Sequence, residues 1–147
     1  MSMAYLGLGS NLGDRRQKLE RAVAALDGTP GVRVTRVSSF RVTPPFGVQD
    51  QPEFLNGVVQ IETELDPPAL LAAVKEIETA LGRVPTYRWG PRVIDIDILL
   101  YDRLRWESPE LTIPHPGILE RPFVMEPLAE LAPERLRELR RDASVPV

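Results

Sequence analysis

VIDIDILLY, residues 93–101, has the composition of a buried strand with two carboxylates set into it. Side chains alternate across a strand, so Asp95 and Asp97 share one face while Ile94, Ile96 and Ile98 share the other. The aspartates, about 6–7 Å apart at twice the rise per residue, repel each other if their face is dry. On spacing alone, a solvated edge-strand face and a cation site both accommodate the pair.

Working outward, the segment before this strand reads as a helix. Asp66-Pro67 supplies a cap and a first-turn proline, Leu70, Leu71, Val74, Ile77 and Leu81 recur at helical spacing, and Gly82 stops it. Phe54–Leu65 before it reads as a strand. Val32–Val42 alternates as another and ends at the Thr43-Pro44-Pro45 break. Further back, Asp14 and Gln17 form a capping box for a helix carrying Leu19, Val23 and Leu26, closed by Gly28. Ala4–Leu8 reads as the first strand. From Leu111 the tail is punctuated by proline and reads as short helices. The order β-α-β-β-α-β predicts an α+β fold, a ferredoxin-like βαββαβ sandwich with an antiparallel sheet and a C-terminal extension. No linker, repeat or low-complexity tract divides the chain, so residues 1–147 are expected to form one domain.

The chain is 27% charged and 43% hydrophobic, ordinary for a globular protein, and its net charge of −3 gives no overall attraction to nucleic acid or anionic membrane. Lys18 and Lys75 are its two lysines; the other basic residues are arginines. Without cysteine there is no disulfide or thiolate metal site, and no apolar run is long enough to span a bilayer. The expectation is a cytoplasmic protein, monomeric, binding neither nucleic acid nor membrane.

Three features qualify the carboxylate pair. Arg83, Arg88 and Arg92 stand just ahead of it in the long segment Gly82–Arg92, and a second long segment runs from Pro44 to Glu53. Cations beside paired carboxylates suit Mg²⁺ and a phosphate chain, since Mg²⁺ is held by one or two carboxylates plus substrate phosphates; a surface salt-bridge network is the bland alternative. His115, the single histidine, is locked between Pro114 and Pro116. The run GLGSNLG, residues 7–13, invites a dinucleotide-binding reading. That unit needs a parallel βαβ, however, and here the glycines are expected to permit a tight strand-to-helix turn and close helix packing.

Four motifs in order, YLGLGSNLGDR (5–15), TPPFGVQDQPEFLN (43–56), RWGPRVIDIDILLYD (88–102) and TIPHPGILERPFV (112–124), make the chain resemble the 6-hydroxymethyl-7,8-dihydropterin pyrophosphokinases of folate biosynthesis over nearly its whole length. The resemblance implies transfer of the β,γ-diphosphate of MgATP to the pterin hydroxymethyl group with release of AMP. It implies two Mg²⁺ ions held by Asp95 and Asp97, whose repulsion the metal relieves. By the same resemblance Arg83 and Arg92 join the aspartates as catalytic residues. Phe54 and Phe123 would stack on the two faces of the pterin. Asn56 would read its edge, with Thr43, Pro44 and Phe46 beside it. Trp89 would belong to a closing lid. Lys75, Glu78, Arg88, Ile98, Thr112, His115 and Arg121 would line the nucleotide site together with Arg83 and Arg92.

The chain departs from the family at Pro85 and Thr86, where many members are basic, so one phosphate contact is expected to be missing or moved to Arg88. It departs also at Glu110 (Arg in some members), Pro116 (aromatic in part of the family) and Lys75 (Gln in some). Two other readings compete: an NAD(P)-binding oxidoreductase using the glycine run, and a non-catalytic ferredoxin-like RNA-binding module. The first requires a parallel strand order. The second requires exposed aromatics and basic residues where this chain has Asp95 and Asp97.

Overall fold

The computed structural model describes residues 1–44, 52–82 and 93–144. Strand β1 (Ser2–Ser10) leads into helix α1 (Arg15–Asp27), followed by β2 (Val32–Val37), β3 (Arg41–Thr43), β4 (Phe54–Thr63), α2 (Pro67–Ala80) and β5 (Asp95–Tyr101). Next come two short strands, β6 (Trp106–Glu107) and β7 (Thr112–Ile113), a 3-10 turn at Ile118–Glu120, α3 (Pro122–Leu131) and α4 (Pro133–Ser144). The sheet runs β2-β4-β1-β5, all pairs antiparallel, with β3 also on β4. This is the ferredoxin-like arrangement. Because β4 lies between β1 and β2, the first βαβ unit is split, and the parallel pairing that the dinucleotide reading requires is not made.

Both long helices start as the sequence indicates. Asp14 accepts the Gln17 N–H at 3.1 Å and Asp66 accepts the Ala69 N–H at 2.9 Å, each filling a donor that the first turn leaves open. Leu19, Ala22 and Leu26 of α1 and Leu70, Val74 and Ile77 of α2 cover one sheet face, where Ala4, Leu6, Leu8, Ile61, Ile96 and Ile98 are buried. On the opposite face, Tyr5, Val58, Leu99 and Leu100 pack against Ile118, Leu128, Leu131 and Leu136. A bulge opposite Tyr5 and Leu6 gives β5 one extra residue, which lets Leu99 and Leu100 both serve that second core.

Three expectations are modified. The strand read over Val32–Val42 is two strands, interrupted at Ser38–Phe40. There Ser38 exchanges backbone for side-chain pairing with Val58, donating its N–H to the carbonyl at 2.9 Å and accepting the amide on Oγ at 2.8 Å. The Phe40 ring lies over Gly57, where a Cβ would come within 2.6 Å of it. Gly7 and Gly9 lie within β1 rather than in a turn; the turning residue is Gly13, at φ +69°. The proline-punctuated tail contains the β6–β7 ribbon as well as helices, and strands of two residues are too short for alternation to show. Among the described residues no helix is long and apolar enough to cross a membrane.

Candidate active site

The second sheet face changes character along its length. Beyond Val58 and Leu99 it presents Gly7, Gly9, Asn56, Asp95 and Asp97, which offer a helix almost no apolar surface to pack on. A cavity of about 550 Å³ opens there, with the start of α3, the segment 109–116 and the side of α2 as its walls. One cross-strand row organises its floor: Arg41 pairs with Asn56, Asn56 with Gly9, and Gly9 with Asp95. The next row sets Val58, Gly7 and Asp97 side by side. Asn56 and Asp95 are therefore two strand spacings apart, about 9–10 Å, with a glycine between them.

At the Asn56 end the cavity is lined by Thr43, Pro44, Phe54 and Phe123. The buried Asn56 amide donates from Nδ2 to the Thr43 hydroxyl, which fixes its rotamer. Its Oδ1 lies where a Cβ on Gly9 would approach to 2.7 Å, so the glycine is what admits the amide. The backbone just ahead of Phe54 is tied down twice: the buried Asn11 donates from Nδ2 to the Pro52 carbonyl at 2.9 Å, and Arg15 donates to the Glu53 carbonyl at 2.7 Å.

At the other end stand Asp95 and Asp97, both half-buried, as the alternation predicts. Lys75 and Glu78 reach the cavity from α2 past β5, Ile98 lies on β5 itself, and Thr112, His115 and Arg121 close the far side. Glu78 is buried and accepts the Ile96 N–H at 2.9 Å, satisfying a donor on the edge strand. His115 is half-buried; its N–H donates to the Leu99 carbonyl at 2.9 Å, and its Nδ1 accepts the Gly117 N–H at 3.0 Å. Burial, and then the Arg121 charge, lower its pKa against the opposing pull of Asp95, so the ring is neutral with its proton on Nε2. Arg121 lies flat against Gly117, where a Cβ would meet its Nε at 2.7 Å. Glu110 and Pro116 are also on the lining.

Thus Thr43, Pro44, Phe54, Asn56, Phe123, Lys75, Glu78, Asp95, Asp97, Ile98, Thr112, His115 and Arg121 surround a single cavity. Phe46, Arg83, Arg88, Trp89 and Arg92, with Pro85 and Thr86, lie outside the described residues. Sequence reasoning missed Gly9 as the floor between the two ends, Asn11 and Arg15 as anchors, and Leu71, Pro109 and Leu111 as wall. The run GLGSN held the signal for Gly9 and Asn11, but only the register with Asn56 and the contact with Pro52 show its use.

Two carboxylates offer hard oxygen donors of the kind Mg²⁺ prefers, and the glycines opposite them leave room alongside. Among the described residues no third His, Cys, Asp or Glu completes a protein cage. The donor set therefore fits a divalent cation whose remaining ligands are water and a phosphorylated substrate.

The cavity's chemistry agrees with comparisons to known proteins. Residues 5–133 match the family model described as 7,8-dihydro-6-hydroxymethylpterin-pyrophosphokinase (HPPK). A 2-amino-4-hydroxy-6-hydroxymethyldihydropteridine pyrophosphokinase of Methylorubrum extorquens is 52% identical, the alignment covering 91% of this chain and 85% of that one. The protein of the same name from Bacillus subtilis is 47% identical over 93% and 82%. A crystal structure of an HPPK-DHPS in complex with substrates superposes with a TM-score of 0.69 at 15% identity, covering 90% of this chain and 40% of that one; one from Plasmodium falciparum gives 0.66 at 16% over 91% and 40%. These two structures share the fold, and this chain spans about two fifths of their length. With a family model matched over most of its length and near-full-length relatives at about half identity, the chain belongs to the 7,8-dihydro-6-hydroxymethylpterin-pyrophosphokinase family.

Proposed function

We propose that the protein transfers the β,γ-diphosphate of ATP to the hydroxymethyl oxygen of 6-hydroxymethyl-7,8-dihydropterin, a step of folate biosynthesis. The oxygen attacks the β-phosphorus, the bond from that phosphorus to the α-phosphate oxygen breaks, AMP leaves with that oxygen, and the hydroxyl proton passes to water. The observation that carries the reading is the cross-strand row: an amide suited to a heterocycle edge and a carboxylate suited to a metal-bound phosphate share one floor, with glycine between.

Phe54 and Phe123 sandwich the ring, and Asn56, oriented by Thr43, reads its edge beside Pro44; the family resemblance assigns Phe46 to the same substrate. Asp95 and Asp97 would hold two Mg²⁺ ions. When bound, the metal supplies positive charge against which the triphosphate is neutralised during transfer. His115, donating from Nε2, and the fixed cation of Arg121 take phosphate oxygens, while Glu78, Lys75, Ile98 and Thr112 shape the nucleotide site. Arg83, Arg88 and Arg92 add charge around the phosphates, and Trp89 shields the transfer from water. The single domain of residues 1–147 acts as a cytoplasmic monomer on small molecules alone, which gel filtration tests for its oligomeric part.

The deciding experiment incubates the protein with Mg²⁺, ATP and hydroxymethyldihydropterin and separates the nucleotide products. AMP that requires both pterin and metal is expected; ADP, or no product, overturns the reading.

A further inference from the structure

We infer that Glu130 is a positioning residue for the pterin end of the cavity: from the far end of α3 it sets where β3 stands relative to Phe123, and so the width of the slot that takes the ring. The inference deepens the function proposed above and rests on it.

The two walls of that slot are distant in sequence. One is β3 with Thr43 and Pro44; the other is the first turn of α3, with Phe123 and Val124. Strand β3 is three residues long and, among the described residues, pairs only with β4, after the interruption at Ser38–Phe40. A strand that short needs a second hold, and α3 provides it. The Glu130 carboxylate accepts the Ser39 N–H on Oε2 at 3.0 Å, and on Oε1 the Ser39 hydroxyl at 2.7 Å and Arg41 Nη2 at 2.9 Å. One turn earlier, Glu126 pairs with Arg41 Nη1 at 3.7 Å. Arg36 Nη1 donates to the Leu131 carbonyl at 2.8 Å, at the C-terminal end of the helix.

Helix and strand geometry align these contacts with the slot. Phe123, Glu126 and Glu130 follow i, i+3, i+7 spacing and share one helix face, with about 10 Å of rise from first to last. Arg41 and Thr43 share one side of β3, and Ser39, just ahead of the strand, reaches the same carboxylate as Arg41. The segments run in opposite senses: Ser39 meets Glu130, Arg41 meets Glu126 and Glu130, and beyond these contacts Thr43 and Phe123 both line the cavity. A clamp at one end of two such rods fixes their separation at the other.

The ion pair itself adds little stability, since Arg41 and Glu130 side chains keep 35% and 36% of their exposure. What it specifies is geometry. The Ser39 hydroxyl, then the Ser39 amide, with Arg41 and Arg36 adding, hold the Glu130 carboxyl below its usual range against the effect of desolvation, so the clamp stays charged at neutral pH.

The test measures AMP release by wild type, Glu130→Gln, Ser39→Ala and their double variant, at varied pterin and at varied ATP, with Tm followed in parallel. Wild-type AMP release establishes the underlying reaction; its absence removes that reading and this inference together. Glu130→Gln is expected to raise the KM for pterin about tenfold, as a misplaced substrate-positioning wall does, with the KM for ATP and kcat little changed. Ser39→Ala should move the same constant in the same direction by less, since it removes one of the three contacts, and the double variant should fall short of the product of the two single effects because the contacts share one carboxylate. An unchanged pterin KM in an active Glu130→Gln protein overturns the inference, as does an equal rise in both KM values. Should Glu130→Gln fail to fold, the exposed Ser39→Ala decides by the same split.

Discussion

His115 shows how much one side chain's surroundings determine. It is the only histidine, so a metal-free sample should show one imidazole titration by NMR, with a midpoint below the ordinary 6.5 because burial and Arg121 disfavour the cation. Asp95 opposes that shift, so Asp95→Asn should lower the midpoint further; a rise would contradict the arrangement. The sign for stability follows. With the native pKa lowered, the unfolded state takes up the proton first, so this group's contribution is complete above the unfolded pKa and declines as pH falls through it. At the same scale, Asp97→Asn should reduce kcat at least about a hundredfold, the size of losing one electrostatic contact to a transferring group, with the circular dichroism spectrum unchanged. Full turnover in that variant would exclude the metal role.

Elements convert such residues into positions. The sheet places the Asn56–Gly9–Asp95 row without any loop, and the β-bulge opposite Tyr5 lets β5 turn both Leu99 and Leu100 to the C-terminal helices while Asp95 and Asp97 face the cavity. The close approach of Phe40 to Gly57 makes a test of the β2–β3 interruption: Gly57→Ala should cost about 1–3 kcal/mol in urea unfolding, the usual range for overpacking, since a Cβ would stand 2.6 Å from the ring. The cap of α2 is milder. Asp66→Ala should cost about 1 kcal/mol, by loss of the acceptor for the Ala69 N–H. An unchanged midpoint in either case would mean that the neighbouring segment gives way without cost.

At the scale of the whole molecule, one sheet face is spent on stability and the other is divided. Helices α1 and α2 cover the apolar side chains of the first, whereas α3 and α4 cover only the apolar half of the second, and the polar half is the cavity. On the proposed reading, ring binding and phosphate binding draw on different walls. Phe123→Ala should weaken pterin binding in titration calorimetry much more than nucleotide binding; equal losses would assign Phe123 to general packing. Chelating the metal should abolish AMP formation and leave the thermal unfolding of the metal-free protein cooperative, because the neighbouring Ile96 and Ile98 are buried on the opposite face of β5 from the carboxylates.

The sequence by itself determined the two long helices, the main strands and the family. Alternation at 94–98, the caps at Asp14 and Asp66, and four ordered motifs are local patterns, written in neighbouring residues and in the periods of strand and helix. Only the tertiary structure decided which distant residues meet. That Gly9 lies between Asn56 and Asp95 depends on strand register. That the β2 region breaks at Ser38 depends on Val58 and on Gly57 under Phe40. That Glu130 holds Ser39 and Arg41 depends on a helix crossing a strand about 90 residues earlier in the chain. Such contacts leave no periodic trace in a sequence, because they are fixed by the packing of two cores on opposite faces of one sheet and not by any residue's neighbours along the chain.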